Sequence, residues 1–426
     1  MEALSLFGLF IILVMMSVPI GYAIGISTAL TLVLFADMPL VMVTQNAIAG
    51  VDSFPLMAIP FFLLAGNIMS TGGVAKRLLD FANLLFGVFT GGLAIVTTVS
   101  CMFFAAISGS AMATTSAIGS FMIPAMEEKN YDKSFAASLT ASAGTIGVII
   151  PPSIPFVIYG VVVGASITDL FIAGLIPGIL MGVALIAVSY ILSRKHGYVG
   201  TGHFPSLLEI WISFKSAVWA LLAPIIVLGG IYSGVFTPTE AAVIAVVYSL
   251  IISAFVYKEL TWKSLYNSLF NTIVINGITT FMVGFSMAFA SYLAIQQIPR
   301  AMADLIMSFT TNKILLLIII NVFLLAIGTL IDNIPATIIL SPILLPIVLE
   351  LGMTPVTFGV MLTLNLAIGF VTPPYGINLF VASAVGKVTI GSMMKYMGYF
   401  IAALIAVLLL VTYVPATTMY LVNALR

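Results

Sequence analysis

Long apolar stretches separated by short polar joints set the pattern of this chain. Apolar runs near 20 residues or longer recur, among them residues 4–36, 170–192 and 400–422. A run of that length spans a bilayer as a helix. Short alternating segments of the kind that build membrane β-barrels are not the pattern. The expectation is an all-α polytopic membrane protein. Two features cut across the runs: Pro151-Pro152 in IGVIIPPSIPF and Pro373-Pro374 in IGFVTPPYGIN. Proline removes a backbone donor and breaks a helix. In lipid, such a break survives only where protein or a water-filled cavity covers the freed groups.

The two pairs lie 222 residues apart, and the offset recurs around them. Ile146, Gly147 and Gly164 match Ile368, Gly369 and Gly386; Thr115 and Pro124 match Thr337 and Pro346. At an offset of 224, Asp80 aligns with Asp304. The constant offset predicts two related units, residues 54–192 and 265–426. Residues 1–53 precede them as a scaffold helix and an external segment, and residues 193–264 join them as a linker and two connector helices.

The first unit reads as a helix (54–69), a surface helix (75–89), an apolar segment (91–126) split at Ser108-Gly109-Ser110, and the polar patch EEKNYDK. A helix broken at its prolines (135–165) and a last helix (170–192) follow. The second unit repeats this order: a helix (268–295), a surface helix (299–309), and a split segment (313–349) interrupted at Asp332-Asn333-Ile334-Pro335. A second broken helix (356–386) and a final helix complete it. A polar linker (193–215) and spans at 217–232 and 239–257 lie between.

Each split segment is either two crossings or one re-entrant hairpin. Charge does not separate these, because both preserve sidedness. Length favours hairpins, since each arm of about 16–18 residues is at the short limit for a span. With hairpins, Lys76, Arg77, Lys129, Lys133, Arg194, Lys195, Lys215, Lys258, Lys263, Lys387 and Lys395 share one face. Arg300, Lys313 and Arg426 fall on the other, and the positive-inside rule makes the richer face cytoplasmic. Each unit then crosses three times and the connector twice, so five crossings separate equivalent points. The units are expected to be inverted repeats, with the N-terminus cytoplasmic and the C-terminus external.

Composition agrees and narrows the function classes. The chain has 426 residues, 62% hydrophobic and 7% charged. Its net charge is zero, which gives no reason to expect nucleic acid or another polyanion as partner. The lone Cys101 rules out an intramolecular disulfide. The start, MEALSLFGLF, lacks a basic segment and a small-residue cleavage site, and reads as a membrane helix. His196 and His203 sit in the linker without a Cys or acidic cluster to form a metal site. No Walker A loop is present, so energy for any transport must come from an ion gradient. Neither an enzyme nor a cofactor is expected.

The candidate chemistry lies at the split tips and the proline breaks. A tip ending near mid-membrane exposes helix-end carbonyls and amides. Carbonyls and hydroxyls suit a hard cation such as Na+, and helix N-termini suit an anion. Serine and glycine at a tip also permit close helix packing. Asp332 is the one acid within an apolar segment away from an obvious loop. It is a candidate to neutralise a cation, pair with a base, carry a proton, or cap the arm beginning at Asn333. Ser153, Thr372 and Asn378 are candidate contacts in the proline loops. Asn365, four residues before Gly369, either ligates or braces the loop. Thr237-Pro238-Thr239-Glu240 reads as a capping box, with Glu240 on the external face also a candidate partner contact. Arg77 with Asp80, and Arg300 with Asp304, are spaced for intrahelical or interfacial pairs.

The segments SGSAMATTSAIGSFMIPAM, GVIIPPSIPFVIYG, IAGLIPGILMG, TPTEAA and GFVTPPYGINLFV resemble the large membrane subunit of tripartite ATP-independent periplasmic (TRAP) transporters. The resemblance covers essentially the whole chain. It implies a Na+-driven elevator-type importer of the bacterial inner membrane, related to the ion transporter superfamily. A small four-helix membrane subunit and a periplasmic binding protein that delivers a carboxylate would be its partners. Carried over by position, one Na+ site would use Ser108, Ser110, Gly147 and Pro151, and a second Gly328, Asp332, Gly369 and Thr372. Substrate would lie near Ser153, Asn333 and Asn378. Members that import sialic acid look nearest, with C4-dicarboxylate members sharing the same motifs.

Overall fold

A computed structural model describes residues 2–35, 38–200, 202, 204–302 and 312–426. The chain opens with α1 (Glu2–Met15), α2 (Ile20–Phe35) and α3 (Val41–Val51). The apolar run 4–36 is thus two helices and not one. Pro19 cannot continue α1. Ser17, at φ 63°, closes it in a left-handed cap, with the Val18 amide donating to Leu13 O at 3.0 Å. A 3-10 turn (Phe54–Met57) leads into α4 (Ala58–Thr71), followed by α5 (Val74–Phe86).

Then come α6 (Gly92–Ser108), α7 (Ala111–Glu128), α8 (Lys133–Gly144), a 3-10 turn (Thr145–Val148), α9 (Ile154–Val163) and α10 (Ile167–His196). The connector is α11 (Leu207–Tyr232) and α12 (Pro238–Ile251), which ends in a π turn (Ile252–Val256). The second unit is α13 (Trp262–Ile295), α14 (Lys313–Gly328), α15 (Asn333–Glu350), α16 (Pro355–Gly369), α17 (Ile377–Gly386) and α18 (Ile390–Tyr413). A terminal α19 (Ala416–Leu425) follows. The described residues contain no strand.

Helix, split pair, broken helix, helix therefore occurs twice in order. The second arms α7 and α15 have the same length, 18 residues, and begin after Ser110 and Asp332, which are also 222 apart. Several predicted bounds shift for local reasons. The linker contracts to 197–206, because α10 continues to His196 and α11 begins early. Ser206 caps α11, its amide donating to Glu209 Oε2 at 2.7 Å in a capping box. The run 400–422 divides at Pro415, where α18 gives way to α19. Residues 303–311 lie outside the described residues, and with them most of the predicted surface helix 299–309 and Asp304. His203 is outside them as well.

Arg77 does not pair with Asp80. Its guanidinium binds Glu259 at 2.7 Å and lies 3.8 Å over the Tyr257 ring, because the end of α12 reaches it first. Thr237 and Glu240 do form the expected box: the Thr237 amide donates to Glu240 Oε2 at 2.8 Å, and the Glu240 amide to Thr237 Oγ1 at 3.3 Å. Below the split pair, Asp132 caps α8 and accepts from the Tyr396 hydroxyl of α18 at 2.7 Å. Burial alone would raise its carboxyl; bonds from Tyr396 and the Ser134 amide, with the Lys395 charge, hold it below the ordinary value.

Seven helices among the described residues are long and apolar enough to cross a membrane. They differ in depth: the best window of α15 is 67% buried, that of α11 only 28%. The outer helices turn large apolar side chains outward, among them Trp211, Ile225, Phe270 and Ile273. In lipid that exposure carries no penalty. Inside, the units interlock. Arm α7 packs on α17 of the other unit, arm α15 packs on α9, and α10 packs on α18.

Glycines on α10 let the first proline break sit against it. Gly174, Gly178 and Gly182 recur every four residues, so one face of the helix is bare backbone. A Cβ at Gly174 would stand 2.5 Å from Ile149 O, and one at Gly178 2.3 Å from Ile150 Cγ1. Gly178→Leu is expected to destabilise the detergent-solubilised protein by about 1–3 kcal/mol, the usual cost of overpacking. Gly229→Leu, where nothing lies within 4 Å of the new Cβ, is the matched control and should leave the melting temperature unchanged.

Candidate functional site

The first tip is built on helix ends. α6 stops at Ser108, Gly109 turns the chain at φ 62°, and Ser110 caps α7 by accepting from the Ala113 amide at 3.4 Å. An L side chain at Gly109 would be strained by that angle, and its Cβ would press on Pro152 O at 2.7 Å. Hydroxyls knit the turn: Ser108 Oγ lies 3.0 Å from Thr114 Oγ1, which donates to Ser110 O at 2.8 Å.

The first break faces this tip. After the turn at Thr145–Val148 the chain bends through a cis Pro151-Pro152 bond to Ser153. Ser153 caps α9 by accepting from the Phe156 amide at 3.3 Å, and donates to Val148 O at 2.6 Å. The Ile154 amide reaches across to Gly109 O at 3.4 Å. Gly147 sits so close to the tip that a Cβ there would be 2.6 Å from Ser110 O. Ser108, Ser110 and Gly147 are therefore one cluster, with Pro151 in the same buried turn.

The second tip and break repeat the plan with different groups. α14 ends at Gly328, and Asp332 caps α15, its Oδ1 accepting from the Asn333 amide at 2.8 Å. Of the roles open to Asp332, capping is present, and no ion pair involves it among the described residues. α16 ends at Gly369, and the chain turns through Thr372 and a second cis bond, Pro373-Pro374. Thr372 Oγ1 donates to Ile368 O at 2.8 Å. The Tyr375 amide donates to Thr329 O at 3.0 Å, joining break to tip as Ile154 does in the first unit. Gly328 and Gly369 touch backbone to backbone: a Cβ on Gly369 would be 2.1 Å from Gly328 O.

A cavity of about 60 Å³ lies between the two tips. Ser110, Met112, Asp332, Asn333 and Phe370 line it, with the start of α9. No basic side chain is among its walls. Of the three residues expected around a substrate, only Asn333 lines it. Its Oδ1 accepts from Thr337 Oγ1 at 2.9 Å, while the buried Nδ2 has no protein partner. Ser153 is spent on capping α9. Asn378 points into the other unit, its Nδ2 donating to Ala141 O at 3.1 Å. Glu240 is exposed at the start of α12, far along the chain from either tip. A larger cavity of about 140 Å³ lies apart from the breaks, between the turn before α4 and α13.

Two groups of residues escaped the sequence reading. Thr114 completes the first tip; its signal was a hydroxyl one helical turn after Ser110, on the same face. Asn321 binds both Asn365 and Thr412. A lone amide within KILLLIIINVFLLAIG was the available signal for Asn321. Among the described residues no group of three His, Cys, Asp or Glu is placed to hold a metal.

The sequence shares 47% identity over 97% of its length with an isethionate TRAP transporter permease from Oleidesulfovibrio alaskensis, of which it spans 65%. It shares 37% identity, over the full length of both chains, with the C4-dicarboxylate TRAP transporter large permease of Rhodobacter capsulatus. A sialic acid permease of Haemophilus influenzae is 37% identical over 97% of this chain and 67% of its own. These relatives are named as permeases and not as enzymes. The fold is like that of the YdaH transporter of Alcanivorax borkumensis, with a TM-score of 0.62 at 13% identity over 87% of this chain and 86% of that one. Residues 7–417 match the family described as tripartite ATP-independent periplasmic transporter, DctM component, and the chain belongs to that family.

Proposed function

We propose that this chain is the membrane-spanning large subunit of a Na+-coupled importer of small organic oxyanions, worked by an elevator motion of the interlocked tips and breaks. One observation carries the reading: two hairpin tips, each bonded to its own proline break, meet at a single cavity. Each tip–break pair gathers hydroxyl and carbonyl oxygens at helix ends, the donor set that suits Na+. The first site is Ser108, Ser110, Gly147 and Pro151; the second is Gly328, Asp332, Gly369 and Thr372.

The cavity explains why the two fluxes would be linked. The starts of α7 and α15 and the free Asn333 Nδ2 offer donors to an oxyanion. The same walls hold the Asp332 carboxylate and no base. An anion beside that carboxylate is repelled by roughly 1 kcal/mol in water at contact distance and by several times that in a protein interior. Bound cations remove the repulsion, so anion binding requires them.

The names of the relatives support one order of substrates. A two-carbon sulfonate such as isethionate comes first, on 47% identity against 37%. C4-dicarboxylates and sialic acid follow. In this reading the repeats are inverted, the N-terminus is cytoplasmic and the C-terminus periplasmic in the bacterial inner membrane. A small membrane subunit completes the scaffold, and a periplasmic binding protein delivers substrate. Proteoliposomes holding this chain with both partners should take up labelled isethionate down an inward Na+ gradient. Uptake by this chain alone would point instead to a stand-alone symporter, and uptake indifferent to the Na+ gradient to a passive channel.

Asp332→Asn separates charge from capping, since Asn and Asp cap helices equally well. The variant should melt within about 0.5 kcal/mol of the parent yet lose Na+-driven uptake. Asp332→Ala should lose uptake and a further ~1 kcal/mol of stability with the cap. Wild-type Na+ dependence in Asp332→Asn would remove the carboxylate from the mechanism.

A further inference from the structure

Just before the second ion site, α14, α16 and α18 are tied by a buried amide chain that the first unit lacks. Asn365 Nδ2 donates to Asn321 Oδ1 and to Met361 O, both at 2.8 Å. Asn321 Nδ2 donates in turn to Leu317 O at 2.9 Å and to Thr412 Oγ1 at 3.2 Å. Asn365 is 0% exposed, Asn321 3% and Thr412 3%. The orientation of Asn365 is fixed by its neighbours, because turning the amide over would set Oδ1 against two acceptor oxygens. Its Oδ1 is left without a protein partner.

The fold does not require these groups. At the offset of 222, Asn321, Asn365 and Thr412 correspond to Val99, Ala143 and Tyr190. The first tip is locked instead by its own hydroxyls, Ser108 and Thr114. Beyond the Tyr375–Thr329 backbone bond, the second tip meets its break through Gly328 and Gly369, which have no side chains to interdigitate. Glycine against glycine offers little resistance to sliding. A side-chain bond one turn below Gly369 adds to that resistance. The carbonyl of Asn365 itself lies 3.5 Å from where a Gly328 Cβ would stand, so the clip and the glycine contact share one groove.

The geometry points to Asn365 as a positioning residue of the second cation site: through Asn321 and Thr412 it holds the register in which Gly328 and Gly369 present their oxygens. The inference rests on the Na+-coupled reading given above. Asn365 is not assigned as a ligand, so its loss should weaken cation binding without stopping turnover.

The test is a Na+ titration of isethionate uptake by the complete transporter in liposomes. Asn365→Leu should raise the Na+ half-saturation by about tenfold, the worth of one buried hydrogen bond, with maximal rate at saturating Na+ changed less than about twofold. The double variant Asn321→Leu with Asn365→Leu removes both polar partners, which is nearly neutral for folding. It should assemble normally and keep the raised half-saturation. A double variant with the parent's half-saturation overturns the inference alone, because packing would then suffice. A double variant that cannot assemble also overturns it, making the clip a folding element. A parent protein indifferent to Na+ contradicts the functional reading and this inference with it.

Discussion

A backbone that stops being helical inside a membrane must find its hydrogen bonds in protein, and the rest of this structure is arranged to meet that requirement. Each proline break leaves amides and carbonyls exposed at the depth where lipid offers no partner. The hairpin tips supply them: Gly109 O receives the Ile154 amide, and Thr329 O receives the Tyr375 amide. The tips in turn are stabilised by caps at Ser110 and Asp332. Tip and break are thus one unit, and the glycines at 109, 147, 328 and 369 exist to let the two come within backbone contact.

That closeness also concentrates oxygen atoms, the donor set that the proposed ion binding would use. The two units solve it differently. The first uses hydroxyls from Ser108, Ser110 and Thr114, and carries no charge. The second uses bare backbone, a carboxylate, and an amide clip behind it. The interlock of α7 with α17 and of α15 with α9 keeps both tips on one body around a shared cavity. The proposed elevator motion would need such a body, because ions and anion would travel together.

The offset of 222 made the repeat legible, and with it the tips and the breaks, while the grouping of Ser108, Ser110 and Gly147 rests on the family resemblance. These are positions where backbone chemistry forces residue choice, so the residues announce themselves. What stayed hidden depends on which side chains meet in space. Arg77 was spaced for Asp80 but found Glu259 of another helix. Asn378, expected near substrate, lies outside the cavity wall and donates to Ala141 O across the repeat boundary. Apolar content also masked breaks at Pro19 and Pro415, where a single proline ends a helix inside an otherwise uniform run.

The central claim is that two cation sites flank one anion cavity, and coupling stoichiometry tests it directly. Proteoliposomes with the complete transporter would be held at zero voltage with a tenfold inward Na+ gradient, and the outward isethionate gradient raised until net flux reverses. Two Na+ per monovalent anion place the reversal at about a 100-fold opposing gradient, since each decade of each ion adds the same free energy. Reversal near tenfold, or at no gradient, would contradict paired sites.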